Sequence, residues 1–334
     1  TDGARPKRID QKSASVTNLS LAGMGHLGYR DSPMQNVITL VANRNRTALS
    51  EDHLTAARTA ARRAGAVPSA DTKTLARGWA AEFIADDATQ LALIAALEDA
   101  PGLDGIDRAV QAPEGRRKQV LVSDMDSTMI QNETLDTLAT ALGFGDAVMA
   151  ITARSMAGEL DFVESLRARV ALLKGYQATE SMAVVMDQIL HTNGAERAVK
   201  TMVANGALCA LVSGGFTFTT EVVHAQQGFQ EHAANTLEIG DDGCFTGNLT
   251  GKIVGRATKL EILDEMCIRQ AVPRSGAAAV GDGANDLDML TAAGLGIGFF
   301  PKPIVREQTR VRIEHTDMTA LLFYQGYSED EFAI

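Results

Sequence analysis

Two acidic loops in this chain have residue types and spacing that could hold a metal. Ser123-Asp124-Met125-Asp126-Ser127-Thr128 places two carboxylates two residues apart, directly after the apolar run Val120–Val122. Carboxylates just beyond the carboxyl end of a buried strand suit a hard cation such as Mg²⁺, which prefers oxygen ligands. Taken alone, the pair is equally well explained as helix capping in a βα loop. The second loop, Gly281-Asp282-Gly283-Ala284-Asn285-Asp286, follows another apolar run, Ala277–Val280. Two such loops on parallel strands open on the same rim, which capping does not require. Val212-Ser213-Gly214-Gly215-Phe216 offers a hydroxyl and two glycine N–H groups near a helix start, a cradle for a phosphate. Ser213 lacks the Gly-x-Ser-x-Gly surroundings of a hydrolase nucleophile, and no Walker loop occurs. Lys259 is singled out only by its place between the hydroxyl loop and the last acidic loop.

The elements that must position these loops follow from periodicity. Short continuous apolar runs at Val120–Val122, Ala207–Val212, Ala277–Val280 and Leu295–Phe299 predict parallel strands covered on both faces. Between the first two lies a helical block at about 135–200, too long for one crossover, which reads as an inserted cap. Residues 235–250 predict a hairpin around Gly240-Asp241-Asp242-Gly243. Ahead of this unit a smaller α+β module is expected over 36–113. It has a strand at 37–43, a helix capped by Ser50, a strand Thr74–Ile84, a helix Ala88–Glu98 and a short strand Ile106–Val110. The polar stretch Gln111–Lys118 links it to a second domain over 118–326. Residues 1–35 are aperiodic and are expected to form a disordered tail. Their apolar patch Leu19–Leu27 is broken by glycines and makes a poor secretory leader.

Composition narrows the function classes. The net charge of −11, with no long basic run, speaks against a nucleic-acid partner, and a single tryptophan, Trp79, against a base-stacking surface. An acidic protein acting on an anion needs a focused cation in its site. Cys209, Cys244 and Cys267 are too far apart for a Cys-x-x-Cys zinc or redox motif and predict a reduced, cytoplasmic setting. No apolar stretch is long enough for a membrane helix.

The ordered set Asp-x-Asp-Ser-Thr, Ser-Gly-Gly, Lys and Gly-Asp-Gly-Ala-Asn-Asp resembles the four motifs of the haloacid dehalogenase superfamily, over about Val120–Tyr324. Within it the chain is similar to the phosphoserine phosphatase family. The resemblance implies a Rossmann-like α/β fold with a helical cap, Mg²⁺ as cofactor, and hydrolysis of O-phospho-L-serine, the last step of L-serine biosynthesis. It makes Asp124 the nucleophile and Asp126 the general acid/base. Ser213 and the Gly214 N–H bind the phosphoryl oxygens, and Lys259 neutralises phosphate and nucleophile. Asp282 ligates the metal with the Asp124 carboxylate and the Asp126 main-chain carbonyl; Asp286 supports the metal's water shell and Asn285 touches substrate. Glu133, in Asn132-Glu133-Thr134, matches the partner of the substrate ammonium, and Arg169 the clamp on its carboxylate; Met156 and Phe162 match cap residues over the substrate. Arg167, two positions away, faces elsewhere on a helix. Without the resemblance each of these cap residues reads as an ordinary helix acid, solvated arginine or core residue. Phosphohomoserine or phosphothreonine as substrate stays open, as does Mn²⁺ in place of Mg²⁺. A non-catalytic amino-acid sensor is disfavoured by the intact acidic and lysine positions. The N-terminal module resembles an ACT-like regulatory domain, although only three strands are evident. Its role stays open between amino-acid sensing, the interface of a homodimer and a folding aid.

Overall fold

The alternation of apolar residues along the first strand decides how the N-terminal module is built. In the computed structural model, which describes residues 32–333 apart from 157, the module comprises seven elements. They are β1 (Met34–Ala42), α1 (Glu51–Arg63), β2 (Val67–Pro68), β3 (Lys73–Ala76), β4 (Ala80–Ala88), α2 (Gln90–Glu98) and β5 (Ile106–Gln111). The sheet runs β2-β4-β1-β5 with β3 paired to β4. Ile38 and Leu40 face the module's own core with Leu54, Leu93 and Leu97, while Val41 joins the core of the second domain. One strand thus packs on both sides, as the two-residue period of side chains dictates.

Three expectations change here. The strand foreseen over Thr74–Ile84 is two strands, because Gly78 takes φ +76° and turns the chain. With Val67–Pro68 as a further strand, the order β-α-β-β-α-β is complete, with β3 added, rather than limited to three strands. The first strand begins at Met34, inside the stretch expected as tail; residues 1–31, including Leu19–Leu27, lie outside the described residues.

The second domain begins with β6 (Val120–Ser123) and continues through α3 (Thr134–Ala141), α4 (Gly145–Met156), α5 (Phe162–Ala171), α6 (Ala178–Met186) and α7 (Ala195–Ala204). Next come β7 (Leu208–Phe216), α8 (Thr217–Gln227), β8 (Glu231–Ile239), β9 (Phe245–Thr250) and α9 (Arg256–Arg269). The chain finishes with β10 (Ala277–Gly281), α10 (Leu287–Ala292), β11 (Leu295–Phe299), α11 (Pro303–Gln308), β12 (Val311–Ile313) and α12 (Ala320–Tyr324). The sheet order is β12-β11-β10-β6-β7-β8-β9, parallel except for the last pair. Val120 and Val122 face α9 and α10 through Leu263, Met266 and Leu290; Leu121 faces α7 and α12 through Val199, Met202 and Leu321. The central strands β6 and β10 carry no charged residue because both of their faces are covered, whereas β8, near the edge, carries Glu231, His232 and Glu238.

Helices α3 to α6 form the cap around Leu138, Leu166, Val170 and Leu173, resting on Phe216, Leu237 and Phe245 of the β7–β9 region. Helix α7, which the 135–200 block includes, packs on the sheet instead: Ala195, Ala198 and Val199 are buried against it. The module is joined to the sheet by polar bonds as well as apolar contact. Asp107 of β5 accepts bonds from the main-chain N–H groups of Glu314, His315 and Thr316 and from the Thr316 hydroxyl, all at 2.7–3.2 Å. Arg116 meets Glu82 at 2.6 Å.

Candidate active site

Strand order brings the sequence motifs together. Strand β6 lies between β10 and β7, with Ser123 opposite Val280 on one side and Leu211 on the other. The loops after β6 and β10 therefore emerge beside Ser213–Gly215, which the structure places within the end of β7 and not in a loop, at the carboxyl edge where ligands bind in open α/β sheets. Asp124 is tied to the neighbouring strand by its main-chain N–H, which donates to the Val280 carbonyl at 2.9 Å. The chain then turns sharply. Met129 N–H bonds back to the Met125 carbonyl at 2.8 Å, and Ser127 takes φ +53°. A non-glycine residue in that region costs about 1 kcal/mol or more. Here it directs the Ser127 hydroxyl to Glu133 Oε1 at 2.9 Å.

A lysine and two carboxylates form the floor. Lys259, fully buried in the first turn of α9, lies 2.7 Å from Asp124 Oδ1 and 2.6 Å from Asp286 Oδ1. Burial lowers its pKa, but the two carboxylates outweigh that and hold it above its ordinary value. Asp286 Oδ2 accepts from the N–H groups of Asp282 and Gly283 at 3.1 and 3.0 Å, so both of its oxygens are engaged, one by the loop and one by Lys259. Burial and the Asp124 carboxylate push Asp286 up, against Lys259. Asp282 is raised to about 6, by burial and then by Asp124, despite Lys302 Nζ at 3.0 Å from its Oδ2. Asp124, Asp282 and Asp286 each offer an oxygen within 4.8 Å of the others. Three buried carboxylates against Lys259 and the half-exposed Lys302 leave negative charge in excess, and an all-oxygen set suits a hard divalent cation.

Asp126 differs from its neighbour. Its Oδ1 accepts the Thr134 N–H at 2.9 Å and the Thr134 hydroxyl, and its Oδ2 accepts the Ser213 hydroxyl at 3.1 Å. Shielding from solvent and the nearby Glu133 raise it to about 7, with the Thr134 bonds opposing. The Ser213 oxygen in turn accepts the Gly215 N–H at 2.8 Å. Gly215 is required where it stands: a Cβ there would lie 2.6 Å from Asp126 Oδ2.

Above this floor is a cavity of about 490 Å³, lined by Asp124, Asp126, Gly214, Asp282 and Asn285 below and by cap residues above. Glu133, just before α3, and Phe162 and Arg169, both of α5, all line it. The Phe162 ring lies beside Gly214 and Gly255. Arg169 is half-buried; burial lowers its pKa, with Asp136 and Glu133 opposing. Arg167 is exposed and lies outside this lining. Met156 closes α4, and its side chain lies outside the described residues.

Two participants escaped the sequence reading. Lys302, after β11, sits 3.0 Å from Asp282 and 3.4 Å from Glu133 and lines the cavity. Its signal was available, because it follows the carboxyl end of the apolar run Leu295–Phe299 as the acidic loops follow theirs. Thr134 was read only as the neighbour of Glu133, and nothing in its type announces the two bonds it gives Asp126.

A family model described as haloacid dehalogenase-like hydrolase matches residues 121–291, about half of the chain. A phosphoserine phosphatase of Streptomyces coelicolor is 42% identical over 229 residues, covering 68% of this chain and 55% of that protein. The chain thus spans about half the length of that relative. A phosphoserine phosphatase of Methanocaldococcus jannaschii is 37% identical over 209 residues, 63% of this chain and 98% of that one. The crystal structure of a probable phosphoserine phosphatase from Vibrio cholerae superposes with a TM-score of 0.70 at 28% identity, covering 89% of this chain and 88% of that chain.

Proposed function

This chain belongs to the haloacid dehalogenase-like hydrolases, and from that premise we propose that it hydrolyses O-phospho-L-serine to L-serine and phosphate through a phosphoryl group carried on Asp124. The observation that carries the reading is one cavity holding two sets of groups: Asp124 on a buried lysine, and Glu133 with Arg169 above it.

The roles follow from the bonds. Lys259 and the Met125 N–H both occupy Asp124 Oδ1, leaving the other oxygen to attack phosphorus. As the phosphorus–serine oxygen bond breaks, Asp126 gives its proton to the leaving oxygen. That proton belongs on Oδ2, because Thr134 donates twice to Oδ1. Asp126 then takes a proton from water, which attacks phosphorus and frees the Asp124 carboxylate and phosphate. Ser213 and the Gly214 N–H bind the phosphoryl oxygens, and Asn285 contacts the substrate. Mg²⁺ would be held by Asp124, Asp282 and the Asp126 main-chain carbonyl. Asp286 would support its water shell, both its oxygens being engaged already. When bound, it supplies positive charge that offsets the repulsion between carboxylate and phosphate.

Serine selection rests on Glu133 for the ammonium and Arg169 for the carboxylate, where a planar guanidinium makes two parallel bonds. Phe162, with Met156 from the cap, closes over the substrate. A place in L-serine biosynthesis and in the cytoplasm belongs to the same proposal; the three free cysteines support a reducing compartment. The test is phosphate release from L-phosphoserine, phosphothreonine, phosphohomoserine and an aryl phosphate, with and without Mg²⁺. Metal-dependent preference for phosphoserine is expected. Preference for another member keeps the chemistry and discards serine, and no turnover at all discards both.

A further inference from the structure

The linker before β6 ends in Arg116-Arg117-Lys118, and the chemistry at Asp124 uses none of them. Lys118 is buried, yet among the described residues no carboxylate meets its ammonium. Its Nζ donates to the main-chain oxygens of Gly115 at 2.7 Å and Ser275 at 2.8 Å. An ammonium carries three N–H donors, so one remains. Burial, with the Arg116 guanidinium beside it, pulls this lysine down to about 8.

The same lysine lines a cavity of about 310 Å³ between the linker, the turn before β10 and the α10–β11 and α11–β12 connections. Arg116, whose guanidinium is paired with Glu82 at 2.6 Å, and Arg310 line it too, and among the described residues that line it Glu114 is the only acid. This cavity shares no residue with the one above Asp124. A buried cation left without a counter-charge is costly. Here the cost falls at a site with room for a ligand of a few heavy atoms.

We propose that this cavity binds a small oxyanion, a phosphate or a dicarboxylate, on the third N–H of Lys118. The bound anion joins the two domains. The Lys118 main-chain N–H already donates to Gln325 Oε1 at 2.8 Å, and Arg116 reaches across to the Tyr324 carbonyl at 3.2 Å.

Amine labelling tests this on the full-length, Mg²⁺-loaded protein. Reductive methylation at Lys118, read by peptide mass spectrometry, is compared in inorganic phosphate, malonate and chloride at equal ionic strength. Saturating phosphate should slow methylation roughly tenfold relative to chloride, because occupancy and labelling compete for one amine. The protection is read at Lys118 itself, which lies outside the lining of the catalytic cavity. Protection by malonate as well assigns the site to dianions in general, and protection by malonate alone assigns it to dicarboxylates. Equal labelling in all three salts overturns the proposal. If Lys118 is too enclosed to label, the phosphate-induced rise in Tm decides: a smaller rise in Lys118→Met than in the native chain supports the site, and an equal rise removes it.

Discussion

The catalytic floor and the seam between the domains are both buried and polar, and they are satisfied to very different degrees. At the seam, Asp107 has its carboxylate oxygens filled by three main-chain N–H groups and a hydroxyl. Neutral donors offset its charge without bringing in another ion. At the floor, Asp124, Asp282 and Asp286 crowd within 4.8 Å, and Lys259 and Lys302 leave them under-compensated. Satisfied groups hold the two domains together, whereas unsatisfied ones are held in readiness for a cation and a phosphate. The difference is the usual one between polar groups placed for stability and those placed for chemistry.

Substitutions can break this comparison. The largest effect is expected at the floor. Asp124→Asn should cut phosphoserine turnover by about 10⁴-fold or more. Because it also removes one of three crowded charges, its Tm without Mg²⁺ should equal or exceed that of the native chain. Substantial residual turnover in a steady-state assay would remove the nucleophile assignment, and a large fall in Tm would undo the contrast drawn above. At the seam the signs reverse. Asp107→Ala leaves buried N–H groups without an acceptor and should cost about 3 kcal/mol in chemical denaturation, while kcat of the folded protein stays within about twofold, since the catalytic loops keep all their own bonds.

Arg169→Ala sharpens the contrast within the site. Losing a charge-assisted pair is worth about 2 kcal/mol, so kcat/KM for phosphoserine should fall roughly 30-fold, with an aryl phosphate affected far less. Equal losses for both substrates would place Arg169 outside serine recognition. The smallest effect belongs to the exposed edge of the seam. Glu331 bonds to Ser328 N–H and to Arg117 at 2.5 Å, and those contacts depress its carboxyl to about 2. A depressed folded-state pKa gives stability that is present above the ordinary glutamate value and lost as pH falls towards 2. Solvent screens such a pair, so Glu331→Gln should cost only about 0.5 kcal/mol near pH 7 and nothing near pH 2, read from urea midpoints at the two pH values.

Some of this was legible in the chain itself. Apolar runs ending in Asp124, Ser213 and Asp282 were readable as strands with loops on one rim, because strands covered on both faces must be apolar throughout. The hairpin of β8 and β9 showed through its Gly240–Gly243 turn. Val311–Ile313 was not readable as a strand, since three residues give no period, and β8 was not foreseen as part of the main sheet. The break at Gly78 was hidden because a glycine inside an apolar stretch does not declare its φ.

By itself, the sequence determined which residues could do chemistry and that the acidic ones belong to loops after strands, since residue type and local period are properties of the chain alone. The tertiary structure decided which of them meet. Strand order set Asp124 between the end of β7 and the loop after β10, and folding the cap over the sheet carried Arg169 and Phe162 to a cavity shared with Glu133. It also decided that Lys302 reaches Asp282, that Thr134 holds Asp126, and that Lys118 is buried without a carboxylate. Those facts depend on distances between segments remote in sequence, which no local pattern encodes.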